Sequence, residues 1–219
     1  MDAFVQNAGI LTTKFEVVNG HESTIAINLI GAVLLSLSVL PKLQESAAKY
    51  NVQGRMTFVG SDLQYIAKFN EKDASGKLFE ALKAKEGVDM DDRSVQNAIP
   101  NKRFNTLLHL ISNISIQADV RYRYKVSKLL LLYAARSIAA QCPVSKRSNV
   151  VINYLTPGAC KSDIFRDDIG WLQAFIQKIA ISMIARTTEV GSRTIVHAVK
   201  PDVGEQTHGA FLMDCKVAP

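Results

Sequence analysis

Apolar residues along this chain fall into two kinds of run. Short blocks of branched and aromatic residues, closed by Gly, Pro, Ser or Asn, predict buried strands. Ala3-Phe4-Val5 leads into Gln6-Asn7-Ala8-Gly9, and Arg55-Met56-Thr57-Phe58-Val59 into Gly60-Ser61. The block 149–155 leads into Thr156-Pro157-Gly158, and a last block covers 208–213. Longer runs, with apolar residues three and four apart, predict helices. They cover 22–50, a patch at 78–83, and a helix headed by Tyr124 that ends by Pro143. Two more follow: 171–184, with Leu172, Phe175, Ile176 and Ile179 on one stripe, and 187–200, with Glu189 in its first turn. Strands alternating with helices predict an α/β fold, a doubly wound parallel sheet covered on both faces.

Composition narrows this picture. A chain of 219 residues suits one domain with a sizeable core. The formal charge of +6 is scattered, and its densest spots, Lys146-Arg147 and the pair Arg121 and Arg123, are too short for a nucleic-acid footprint. The apolar run 25–40 is interrupted by Asn28, Gly31, Ser36 and Ser38 and closed by Pro41. It falls short of the ~20 residues a bilayer span needs, which predicts a buried helix and no stable membrane insertion. Cys142, Cys160 and Cys215 are spaced for neither a disulfide framework nor a metal site. Met1 to Phe4 has no basic flank and no leader-length apolar core. A reducing, cytoplasmic setting with no metal is therefore the expectation.

Candidate chemistry gathers where the strands end. Ligands of open parallel sheets sit beyond the carboxyl ends of the strands, and Asn7, Ser61 and Thr156-Pro157-Gly158 all fall there. Tyr124 and Lys128 are four apart, so a helix sets a phenol beside an ammonium. A fixed cation favours the phenolate and brings its titration nearer neutrality, as acid–base work on an alcohol or carbonyl requires. Each residue also has a plainer role. Tyr124 and Lys128 could be an ordinary surface pair, Asn28 a helix kink or cap, and Ser61 a strand end. Cys160 fits a small filler better than a nucleophile, and His21 and His109 fit the surface.

Taken in order, several short motifs resemble the short-chain dehydrogenase/reductases of fungal metabolite pathways. They are Asn7-Ala8-Gly9, Glu22 followed by Asn28, Ser61, Tyr124-x-x-x-Lys128, Pro157-Gly158 with Ser162-Asp163, Thr188-Glu189-Val190-Gly191 and His208-Gly209. The resemblance implies a Rossmann-like sheet and hydride transfer between a nicotinamide dinucleotide and a carbonyl or alcohol of a hydrophobic small molecule. NADP is implied by family habit, with NAD as the alternative. Tyr124 would exchange a proton with the substrate oxygen, and Lys128 would lower its pKa and hold the nicotinamide ribose. Ser61 would hydrogen-bond the substrate oxygen, and Asn28 would position a water linked to Lys128. The backbone from Asn7 to Gly9 would line the cofactor cleft, and Ser162 stands where a Thr usually touches the nicotinamide amide.

Two stretches depart from that pattern. The family opens on a strand, a glycine-rich turn and a helix that holds the pyrophosphate, whereas no G-x-G-x-x-G occurs in these 219 residues. The expectation is a single truncated domain, 1–219, with an incomplete Rossmann-like sheet lacking its first strands and with little cofactor affinity. Its apolar edge at Phe4 and Val5 would invite association with a second copy. The other departure is 94–123. Joining Arg93 to Tyr124 restores the pattern, so this stretch is either retained intron sequence or a genuine insertion with Leu107, Leu108, Ile111 and Ile114 on one stripe. Two further functions stay open: a non-catalytic binding or scaffold subunit, and a cofactor-free acid–base isomerase, dehydratase or cyclase.

Overall fold

The computed structural model describes residues 1–12, 14–73, 76–83, 118–145, 148–161, 164 and 185–218. Two strands form the centre of the sheet, β4 (Gly54–Val59) and β5 (Val150–Thr156), and every residue in both is buried. Their side chains alternate between two cores, as the period of a strand dictates. Met56, Phe58, Val150, Ile152 and Tyr154 face one core, and Val59 and Leu155 face the other. A strand sandwiched in this way can be apolar throughout, which is why its sequence shows a run rather than an alternation.

The first core is covered by two long helices. One begins at α1 (Ser23–Ile25), passes through a π-helical stretch at Ala26–Gly31, and continues as α2 (Ala32–Tyr50). Glu22 caps it by accepting the Ile25 amide, and Asn51 ends it in the left-handed conformation. Pro41 lies inside α2 without ending it. At 28 residues, 23–50 is long and apolar enough to cross a membrane by length and composition only, and 44% of its most apolar 18-residue window is buried within the protein. One side of it, through Leu29, Ala32, Leu40, Leu43 and Ala47, packs in the first core.

The second long helix, α4 (Ala118–Gln141), follows the short α3 (Leu78–Ala81). Tyr124 therefore does not head its helix: residues 118–123, assigned by sequence to the anomalous stretch, form the turns before it. Tyr122 and Arg123 are buried there, and the Tyr122 hydroxyl donates to Glu71. Arg123 is thus an internal group rather than part of a basic surface. The opposite core is closed by α5 (Thr188–Ala198), through Ala198 and Ile195.

The sheet runs β1 (Ala3–Gln6), β4, β5, β6 (Phe211–Met213), β7 (Lys216–Ala218). The first three pairings are parallel. The last is antiparallel, so the sheet is mainly rather than wholly parallel. Positive φ at Asp214 and Cys215 makes the two-residue turn into β7, a hairpin the sequence did not announce because neither position is glycine. A second small hairpin joins β2 (Val17–Val18) to β3 (His21–Glu22). The last parallel strand is shorter than the block 208–213, because His208 leaves the strand path to hydrogen-bond the backbone of Ile152 and Ala139. With helices on both faces of a mainly parallel sheet, the fold is Rossmann-like α/β.

Candidate active site

The carboxyl ends of β1, β4 and β5 meet the middle of α4, and the polar residues singled out in the sequence lie at that junction. Lys128 is buried in α4, and its ammonium donates to the Val59 carbonyl at 3.0 Å, at the end of β4. Gly9, just beyond β1, lies against it. A Cβ at residue 9 would come 3.1 Å from Asn28 Oδ1 and 3.4 Å from Lys128 Nζ, so the turn after β1 needs a glycine to approach this pair.

Asn28 sits in the π-helical stretch, a local widening that is frequent at functional positions. Its Oδ1 accepts the Ile10 amide at 2.7 Å, and its Nδ2 donates to the Ile10 carbonyl at 2.9 Å and to Ser127 Oγ at 3.2 Å. Ser127 in turn donates to the Tyr124 carbonyl. The Asn28 amide therefore fastens the turn after β1 to the α4 turn that carries Tyr124 and Lys128.

Ser61 follows β4 and caps a 3-10 turn (Asp62–Ile66), its hydroxyl accepting the Leu63 amide at 3.2 Å. The same hydroxyl hydrogen-bonds the Tyr124 phenol. Asp62, only 6% exposed, hydrogen-bonds Thr156 at the end of β5. Burial holds its carboxyl above the usual carboxylate range, and its Oδ1 has no hydrogen-bond partner among the described residues.

The electrostatics of the tyrosine–lysine pair differ from expectation. Burial pushes the Tyr124 phenol up to about 12, opposed by the Ser61 hydrogen bond and reinforced by the Asp62 charge. Burial also lowers the Lys128 ammonium to about 8. The cation lies 5.7 Å from the Tyr124 ring centroid and hydrogen-bonds the Val59 carbonyl. Desolvation thus dominates both groups, which helical spacing alone does not reveal. Near neutrality Tyr124 is a protonated phenol, suited to donate.

Other expected residues are placed differently. Asn7 is exposed, one residue past the carboxyl end of β1. His21 is half-buried and packs edge-on to Phe79 at 5.5 Å, rather than standing free on the surface. Cys160 is half-buried, and its thiol donates to the Pro157 carbonyl. Ser162, His109, Lys146-Arg147, the stripe at 171–184 and most of 94–123 lie outside the described residues. One contributor was missed. Tyr154 of β5 places its hydroxyl between Ser61 and Lys128, and the only hint in the sequence was a glycine, Gly60, at the end of the neighbouring strand.

No protein-family model matches the chain. Individual proteins do. It is 33% identical over 221 residues to the short chain dehydrogenase/reductase dmxR8 of Cryptosporiopsis sp., covering 99% of this chain and 56% of that protein. It is 30% identical to the short chain dehydrogenase atnD of Emericella nidulans, covering 98% of this chain and 58% of that one. Two solved structures share the fold, each with a TM-score of 0.54. The carbonyl reductase Sniffer of D. melanogaster is 17% identical, covering 97% of this chain and 63% of that chain. The NADPH-bound carbonyl reductase from chicken fatty liver is 16% identical, covering 100% and 65%. This chain thus spans about half the length of the curated relatives it matches. Over nearly all of its own length the chain is similar to proteins named short-chain dehydrogenases/reductases, and it shares the fold of the two carbonyl reductases.

Proposed function

We propose that this chain carries the reacting centre of an NADP-dependent oxidoreductase that interconverts a carbonyl and an alcohol on a hydrophobic small molecule of fungal secondary metabolism. The convergence of Ser61, Tyr124, Lys128 and Asn28 at the sheet's carboxyl ends carries this reading. Tyr124, protonated at neutral pH, gives its proton to a carbonyl oxygen as that oxygen gains charge, and Ser61 Oγ holds the same oxygen. Lys128 stays close by as a buried cation and favours the phenolate that results.

The residues present suit the nicotinamide end of a dinucleotide. Lys128 spends one of its three N–H donors on Val59, which leaves two for a ribose diol beside the close approach made by Gly9. When bound, the nicotinamide supplies or accepts the hydride. Preference for NADP over NAD rests on family habit and on the NADPH carried by one structural neighbour. The enzyme would work in the cytoplasm on small molecules and associate with a second copy of itself.

Titrating the purified chain with NADPH and NADH, followed by nicotinamide fluorescence, tests the reading. Weak but saturable binding, together with reduction of an aromatic ketone that falls at least a hundredfold in Tyr124→Phe, is the expected outcome. An absence of binding up to millimolar cofactor would overturn it for this chain.

A further inference from the structure

Tyr154 is 1% exposed, and most of what holds it is apolar. Its ring tilts against Phe211 at 5.6 Å, and Phe211 meets Tyr65 edge-on at 5.8 Å. A phenylalanine would keep those contacts, so the hydroxyl calls for a separate account. A buried hydroxyl costs about 1–3 kcal/mol unless it is partnered. This one accepts the Ser61 backbone N–H at 3.3 Å and donates to the Lys128 backbone carbonyl at 3.0 Å.

Both partners are main-chain groups of residues whose side chains make the reacting centre. Ser61 lies one residue past the last ladder bond, from the Gly60 amide to the Leu155 carbonyl, so its amide is beyond the reach of the sheet. The Lys128 carbonyl lies inside a helix, where the next turn supplies its regular donor, so the phenol adds a second bond that the helix does not need. Room for the ring comes from Gly60: a Cβ there would lie 1.8 Å from the phenol oxygen. Ser61 is consequently held at its amide by Tyr154 and at its hydroxyl by Tyr124.

We propose that Tyr154 is a positioning residue for the reaction, its hydroxyl fixing the distance from Ser61 to the helix turn of Tyr124 and Lys128. Gly60 is glycine to let that phenol through. This inference rests on the proposed reading of Ser61, Tyr124 and Lys128 as the reacting set. Its hydroxyl tie, however, can be measured without cofactor or turnover.

The full chain and Tyr154→Phe, with lysine side chains isotopically labelled, are compared by NMR. Lys128 should titrate near 8 in the parent. In Tyr154→Phe, release of its backbone lets the ammonium reach water, and the midpoint should rise by about one unit, a tenfold change in proton affinity. A purely structural hydroxyl would lower the melting temperature and leave that midpoint in place, which would overturn the proposal. Amide hydrogen exchange on the unsubstituted chain guards against a variant that fails to fold. The Ser61 amide should exchange as slowly as that of Phe58 in β4, and rapid exchange at Ser61 would equally overturn the proposal. If the chain binds no cofactor while both NMR results hold, the functional reading fails, and with it any role in a reaction, while the tie from Ser61 to the Lys128 turn through the Tyr154 hydroxyl stands.

Discussion

Lys128 shows most plainly what this centre demands of a single residue. A lysine that is 4% exposed and hydrogen-bonded to one carbonyl is a poor component of a core. Burial lowers its pKa to about 8 from the ordinary 10.5, which reflects that cost. The difference corresponds to roughly 3 kcal/mol, an upper figure because surrounding dipoles relax. The sign follows from linkage. Below pH 8 the group is charged in both folded and unfolded chains, and the full desolvation cost is present. As pH rises from 8 through 10.5, the folded group becomes neutral before the unfolded one, and the cost disappears. Lys128→Met should therefore raise stability at pH 7 by about 1–2 kcal/mol, after loss of the Val59 bond, and by almost nothing above pH ~10.5. Urea unfolding of both proteins across pH 6–10 measures this; a gain that does not shrink with pH would show that Lys128 is not desolvated as the geometry requires.

At the scale of elements, α4 is the junction of the molecule, and its first turns matter as much as its centre. Arg123 is 8% exposed, donates from Nη1 to the Leu82 carbonyl at 2.6 Å, and lies 4.9 Å over the Phe15 ring. It thereby ties α4 to α3 and to the segment before β2. Arg123→Ala should cost about 2 kcal/mol, or roughly 5 °C in melting temperature, since it removes a charged hydrogen bond and a cation–π contact. Arg193→Ala, which breaks only an exposed pair with Glu189 on α5, should shift it by less than about 1 °C. If the two variants melt alike, the turns before Tyr124 are not integral to the fold, and the sequence assignment of 94–123 as foreign regains force. The same element separates what was legible from what was not. The buried blocks of β4 and β5 predicted the centre of the sheet, because consecutive burial leaves a continuous apolar run. Tyr124 and Lys128 were found by their spacing, Ser61 by its place at a strand end and Asn28 by the family resemblance, and the fold brings them together. The start of α4 was hidden because its partners, Glu71, Leu82 and Phe15, are distant in sequence and follow no period. Tyr154 was hidden for another reason: within a buried strand a tyrosine looks like one more apolar residue, and its hydroxyl acquires meaning only when α4 is laid across it.

For the molecule as a whole, two features favour a second copy as partner. β1 is an edge strand among the described residues, half-exposed at Phe4 and Val5, with β4 on one side only. On the long helix, Ile27, Leu34 and Leu35, spaced by seven and eight residues, form an apolar stripe; Leu34 is 60% exposed. Magnitudes decide between them. A four-residue edge offers a few backbone hydrogen bonds, each worth about 1 kcal/mol net. Burying each large side chain of the stripe contributes about 1.5–3 kcal/mol, and two-fold symmetry counts it twice. The helix stripe should therefore dominate self-association, with the edge strand secondary. Sedimentation should find the chain well above its monomer mass of 24.1 kDa at micromolar concentration. The double variant Leu34→Glu/Leu35→Glu should sediment as a monomer with little change in melting temperature, because neither side chain contributes to the core. A parent chain that is monomeric at those concentrations would remove self-association from the functional reading. A double variant that stays associated would move the interface to β1, where a proline at Val5 should then disrupt it by removing a backbone donor.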